Sequence, residues 1–139
     1  MNRVLVDTGP LVAILSSEDQ YHEICTAVLR ELRGPLLSGW PGLTEVAWLL
    51  RRYPRVIQQL LNSSGNGFLS LLPLTSEDAK AIGAMMLKSE NIRPQLADAR
   101  LVYLAEREKI DAVFTLDQRD FLSTSVGRKR PFRIIPELE

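Results

Sequence analysis

The chain begins with a short apolar run, Val4-Leu5-Val6, closed by Asp7-Thr8-Gly9-Pro10, a pattern that predicts a buried strand ending in a turn. An acid therefore stands at the end of the first strand. After the apolar run Leu11 to Leu15, Ser17-Glu18-Asp19 opens a helical pattern in which Ile24, Val28 and Leu32 recur every four residues up to Gly34-Pro35. Leu36-Leu37-Ser38 reads as a second strand, Gly39-Trp40-Pro41-Gly42 as a turn, and the stretch from about Leu43 through Arg52 as a helix interrupted by Tyr53-Pro54. A further helical stretch, Val56 through Leu61, runs into the loop-forming Asn62-Ser63-Ser64-Gly65-Asn66-Gly67. Phe68 to Leu72 is the third strand. Thr75-Ser76-Glu77-Asp78 has the form of a capping box and starts a helix to about Ser89, and Pro94 separates it from another over roughly Leu96 to Lys109. Ala112 to Leu116 predicts a fourth strand, Asp117 to Phe121 a short turn, and Phe132 to Ile135 a final strand before Pro136.

Strands that alternate with helices predict a mostly parallel sheet covered on both faces, an α/β fold. The 139 residues suit a single domain over 1–139, with no internal repeat or linker. Apolar residues make up 45% of the chain and charged residues 24%, enough to bury a core. The longest apolar runs are about five residues, far below the ~20 that cross a bilayer. With an acid at position 7 where a signal peptide would stay apolar, the expected location is the cytoplasm, with no membrane partner. Cys25 is the only cysteine, which excludes an intramolecular disulfide and a multi-cysteine metal site and suits a small core residue. Seventeen basic residues balance seventeen acids, so any nucleic-acid site must be local.

In an open parallel sheet, ligands bind at the carboxyl ends of the strands. Asp7 and Asp117 directly follow strands, and Glu45 falls in the first turn of the helix after strand two. The helix from Leu96 leads antiparallel into strand four, so its N-terminal Asp98 is expected on the same edge. Singly, each acid has an ordinary explanation, since carboxylates favour first helical turns and tight turns. Together they do not. Two carboxylates ~5 Å apart repel by roughly 3 kcal/mol at an effective dielectric near 20, so four require protonation, basic partners or a cation. An oxygen-only ligand set suits Mg²⁺ or Mn²⁺.

Other catalytic equipment is absent from the sequence. His22, the sole histidine, sits in a helical segment away from the expected rim and reads as a surface or partly packed residue. There is no phosphate-binding glycine loop with Lys-Ser/Thr, and no base paired with a serine or cysteine nucleophile. A metal-holding acid cluster remains, suited to activating water and neutralising charge on a phosphoryl group, which makes phosphodiester hydrolysis the expected reaction class.

Val6-Asp7-Thr8-Gly9, Thr44-Glu45-Val46, Leu96-Ala97-Asp98-Ala99 and Thr115-Leu116-Asp117-Gln118-Arg119-Asp120-Phe121 together resemble the PIN-domain ribonuclease family, most closely its VapC-type toxins. The resemblance spans nearly the whole chain and rests on the order and spacing of these fragments. It implies a five-stranded parallel α/β/α sandwich, Mg²⁺- or Mn²⁺-dependent cleavage of RNA, frequent homodimers and, for toxins, a cognate antitoxin. Asp7, Glu45, Asp98 and Asp117 match the family's acidic site, Asp120 a position where an acid is more variable, and Thr115 a hydroxyl residue near that site. Thr115 can equally serve backbone hydrogen bonding at a strand edge.

Two basic concentrations, Arg51-Arg52 with Arg55 and Arg128-Lys129-Arg130 with Arg133, suit RNA phosphates or simply solvated surface. Trp40 and Trp48, with Leu49 and Leu50, suit a core more than a partner interface. Competing functions are a PIN-like housekeeping RNA-processing nuclease, a non-catalytic RNA- or protein-binding module, and a receiver-like signalling domain. The last needs an acceptor Asp after the middle strand and a Lys near the end, whereas Pro73-Leu74-Thr75 and Asp117 stand there.

Overall fold

A computed structural model describes residues 3–124 and 131–138. Five strands, β1 (Val4–Val6), β2 (Leu36–Ser38), β3 (Leu69–Leu71), β4 (Ala112–Phe114) and β5 (Arg133–Ile135), form one sheet in the order β3-β2-β1-β4-β5, and every pairing is parallel. The chain builds outward from β1 through β2 to β3, then returns to place β4 on the other side of β1. The sheet's switch point therefore lies between β1 and β4, where open α/β sheets form their ligand crevices.

Alternation along each strand divides the core into two layers. Val4, Val6, Leu36, Ala112 and Phe114 join one buried cluster with Leu11, Cys25, Leu43 and Val46. Their strand neighbours Leu5, Leu37 and Val113 point the other way, into a cluster with Leu101, Leu104 and Phe121. The first layer is supplied by α1 (Thr8–Leu15), α2 (His22–Glu31), α3 (Trp40–Leu49) and α4 (Pro54–Asn62). The second is covered by α5 (Ser76–Lys88), α6 (Leu96–Glu108) and α7 (Gln118–Thr124), with a single 3₁₀ turn over Glu90–Ile92. This is the three-layer α/β/α sandwich with a five-stranded parallel sheet.

Three segments expected as turns are helical. Thr8 already begins α1, because the Asp7 carboxylate accepts from the Thr8 N–H as its cap, and Pro10 is tolerated in a first turn whose N–H groups lack intrahelical partners. Gly39 caps α3, which starts at Trp40 with Pro41 in its first turn for the same reason. Gln118–Thr124 forms α7 rather than a turn. The apolar stripe of α2 is also rotated from expectation: Cys25 is its buried position, with Val28, Leu29 and Leu32 packed against the core, while Ile24 is exposed.

The expected capping box is present. Thr75 Oγ1 accepts from the Asp78 N–H and the Asp78 carboxylate accepts from the Thr75 N–H. Asp78 also receives the Tyr103 hydroxyl and an ion pair from Arg107 at 3.1 Å, which ties α5 to α6. Tyr103, Thr75 and Arg107 hold its carboxyl down, to about 2. Replacing Thr75 with Ala should cost about 1 kcal/mol of stability, read as a lower urea midpoint with an unchanged slope. An unchanged midpoint would show that the cap is not formed in solution.

Candidate functional site

Asp7, Glu45, Asp98 and Asp117 line one open pocket of about 590 Å³ at the carboxyl edge of the sheet. Asp7 arrives as the residue after β1, Asp117 from the turn after β4, Glu45 on α3 and Asp98 in the first turn of α6. Because α3 starts at Trp40, Glu45 stands in its second turn, where a helix N-terminus offers a carboxylate little. Its place at the rim is thus not a by-product of helix capping.

Asp7 is buried and held on both oxygens. Oδ1 accepts from the Thr8 N–H at 2.8 Å and Oδ2 from the Thr115 hydroxyl at 2.9 Å. The Thr115 oxygen accepts in turn from the Asp117 N–H at 3.2 Å. Thr115 therefore serves both roles: its hydroxyl bonds to Asp7 and fixes the ends of β1 and β4 to each other, while its N–H continues the pairing with β5 by donating to the Ile135 carbonyl at 2.9 Å. Gln118, which the sequence did not single out, donates to the Thr115 and Pro136 carbonyls and fastens the end of β5 to the same turn.

The acids feel one another. Burial, then the charges of Asp7, Asp117, Asp120 and Glu45, push the Asp98 carboxyl up to about 6. Asp117 is raised as well, by burial first and then by Asp120 and Asp7. Asp120, on α7, shares an adjoining pocket with Asp98 and Arg93. Among the described residues no group of three or more His, Cys, Asp or Glu side chains is arranged to hold a metal ion. The donor set itself fits a hard divalent cation: Asp7, Asp98, Asp117 and Glu45 offer only oxygens, and their repulsion is what a cation relieves.

Other residues fall differently from expectation. Asp19, Gln20 and Tyr21 also reach this pocket, because α2 packs on α1 and brings its leading turn over the rim. Asp19 is engaged there by the Tyr21 N–H. His22 is partly buried, with Nδ1 against the Ala13 carbonyl at 2.7 Å, and does not line the pocket. Trp40 and Trp48 are not core residues: each is 64% exposed, since Leu43, Val46 and Leu50 take the inward face of the helix. The Arg51 guanidinium lies over the Trp48 ring at 4.1 Å and donates to the Trp48 carbonyl. Arg51, Arg52 and Arg55 are exposed at the α3–α4 junction, outside the pocket lining. Arg128, Lys129 and Arg130 lie outside the described residues.

The sequence reading also missed Arg100. Two residues beyond Asp98, it is 1% exposed, and none of its three guanidinium nitrogens has a hydrogen-bond partner. The signal was Gly42. A Cβ there would come within 2.8 Å of Ser38 Oγ and into ordinary contact, 3.6 Å, with the Arg100 guanidinium, so glycine is what the approach of Ser38 requires.

A parallel α/β/α sandwich whose switch point gathers four carboxylates defines a class of folds with an acidic, cation-suited crevice. The chain belongs to the PIN domain family, which it matches over residues 4–126. Among solved structures, the VapC20 toxin of Mycobacterium tuberculosis, described as cleaving the sarcin-ricin loop, is similar with a TM-score of 0.74 at 14% identity, over 86% of this chain and 94% of that one. That likeness is one of fold. Comparison with curated protein sequences gives no match.

The raised Asp98 carboxyl has a testable consequence. With an ordinary value of 3.8 unfolded and about 6 folded, it binds a proton more readily in the folded state between those limits. The metal-free protein should therefore become more stable as pH falls from 7 to 5, and Asp117 adds in the same direction. Asp78, held low, acts only at lower pH. Urea unfolding in EDTA at both pH values should show the gain in wild type and much less of it in Asp98→Asn; stability that falls over this range in wild type would contradict the buried-acid arrangement.

Proposed function

We propose that this protein is a Mg²⁺- or Mn²⁺-dependent endoribonuclease that hydrolyses RNA phosphodiester bonds, the toxin component of a type II toxin–antitoxin pair. The observation that carries this reading is the convergence of Asp7, Glu45, Asp98 and Asp117 on one pocket in a PIN domain. The VapC20 toxin with the similar fold, described as cleaving the sarcin-ricin loop, supports RNA as the substrate class.

Asp7, Asp98 and Asp117, with Glu45, hold the ion. When bound, the cation supplies an acidified water and neutralises charge building on the phosphoryl oxygens. The Thr115 hydroxyl fixes the rotation of Asp7, and its bond from the Asp117 N–H keeps the two acids in register. Asp120 is an auxiliary acid beside Asp98. Arg51, Arg52, Arg128, Lys129 and Arg130 position the RNA backbone. Exposed Trp40, Trp48, Leu49 and Tyr53 supply apolar surface for a homodimer or the antitoxin. No helix among the described residues is long and apolar enough to cross a membrane; the cytoplasm is the proposed place of action.

Purified protein should cleave RNA with Mg²⁺ or Mn²⁺, stop in excess EDTA, and lose at least about 100-fold in rate on Asp98→Asn while remaining folded. Full cleavage in EDTA by protein free of contaminating nuclease would sink the mechanism. Expression should arrest growth, with a small copurifying partner relieving the arrest; cleavage without arrest or partner would assign the same chemistry to a housekeeping nuclease.

Ion binding has a separate readout. A ligand at 100 times its dissociation constant stabilises the folded state by about 2.7 kcal/mol, so Mn²⁺ should raise the melting temperature, and Asp7→Asn should shrink that rise. Equal shifts in both proteins would place the ion elsewhere.

A further inference from the structure

An RNA strand brings further negative charge to a rim that is already acidic. The carboxylates of Asp7, Asp19, Glu45, Asp98 and Asp117 line the main pocket, and Asp120 lines a smaller one of about 210 Å³ beside it. Gln95 and Asp98 line both, so the two form one crevice. A cation held by the acids offsets the phosphate it touches, but the next phosphate along the strand meets carboxylates unless a basic side chain stands there. Among the described residues no Lys or Arg lines the main pocket, and Arg93 is the one basic side chain that lines either.

Local structure fixes Arg93 at this edge. It closes the 3₁₀ turn Glu90–Ile92, with its N–H donating to the Glu90 carbonyl at 3.2 Å. Pro94 follows, then Gln95 caps α6, whose first turn carries Asp98. The Arg93 backbone is left-handed, φ 47° and ψ 60°, where glycine is the unstrained choice. Lys109 shares that conformation, but it closes the 13-residue α6, whose dipole favours a cation at that end. A three-residue turn has little dipole, so an arginine at position 93 is explained by its side chain. That side chain is not engaged elsewhere. Arg3 and Arg107 pair with Glu108 and Asp78, and Arg51 lies over Trp48, whereas exposed Arg93 makes no side-chain hydrogen bond or ion pair among the described residues.

We propose that Arg93 binds the RNA phosphate next to the scissile one, on the Asp98–Asp120 side of the crevice. Its planar fork matches two non-bridging phosphate oxygens. The assignment rests on the ribonuclease reading above and adds to it the residue that holds the strand across the acidic rim. A flanking phosphate is bound alike before and during cleavage, so Arg93 acts on KM and leaves kcat.

The test is steady-state cleavage of a fluorogenic single-stranded RNA in saturating Mn²⁺ over a range of salt. Arg93→Gln should raise KM about fivefold or more with kcat within about twofold of wild type. The fall of log(1/KM) with log salt should become shallower by about 0.7, the slope of one phosphate contact on a single strand. Arg93→Lys should keep the slope. Arg93→Gly suits the left-handed backbone, so it should melt no lower than wild type yet show the same loss as Gln. Arg30→Gln removes an equal charge from the last turn of α2, which leads into the opposite edge of the sheet, and should change neither KM nor slope. Wild-type KM and slope in Arg93→Gly overturn the proposal, as does a fall in kcat at unchanged KM or an equal loss in Arg30→Gln. Wild type that neither binds nor cleaves RNA would instead sink the ribonuclease reading.

Discussion

The Asp7 carboxylate accepts from the Thr8 amide on one oxygen and from the Thr115 hydroxyl on the other, and the carboxyl edge of the sheet is organised around those two bonds. The first starts α1 immediately after β1, leaving no loop between strand and helix. The second spans the switch point, where β1 and β4 run side by side but their following helices depart to opposite faces. A crevice opens there because the two helices diverge. The hydroxyl bridge keeps it from widening, and Gln118 extends the same fastening to β5.

Gathering carboxylates at such a crevice works against folding. Asp98 shows the cost most clearly: its burial and the neighbouring acids hold its proton to about pH 6, well above an ordinary aspartate. Two features limit the damage. The pocket is open, so Glu45 and Asp117 stay largely in water, where repulsion is screened. Arg100, buried beside Gly42, adds positive charge that acts on Asp7, Glu45 and Asp98.

Much of this was legible in the sequence, and the reason is local. A parallel strand buried on both faces reads as a continuous apolar run, and an acid directly after such a run falls on the binding edge whatever the tertiary details. Asp7 and Asp117 could be placed by that argument, and Asp98 by the antiparallel run of its helix into β4. Helix starts were less legible because Pro10, Pro41 and the glycines beside them read as turn formers, yet the first turn of a helix admits proline without losing a bond. Trp40 and Trp48 misled in the opposite sense: their size suggests a core, but Leu43, Val46 and Leu50 already fill the inward stripe of that helix. Arg100 could not be found from its own neighbourhood, because its burial depends on residues about sixty positions earlier, at Ser38 and Gly42.

The helix that carries Asp98 shows how the fold tolerates an unfavourable rim. Its first turn bears the raised acid, and its last bears Arg107, which pairs with Asp78 on α5, with Glu108, and with the Pro73 carbonyl. Glu108 in turn pairs with Arg3, which precedes β1. Nine residues separate Asp98 from Arg107, roughly 14 Å along the helix axis, beyond the ~8–10 Å over which exposed charges act strongly at ordinary salt. Repulsion and attraction are thereby placed at opposite ends of one rigid element whose middle, Leu101, Leu104 and Ala105, is packed into the core. The attractive end can hold the helix in register without neutralising the acids at the other, so the carboxylates keep the charge that a cation needs.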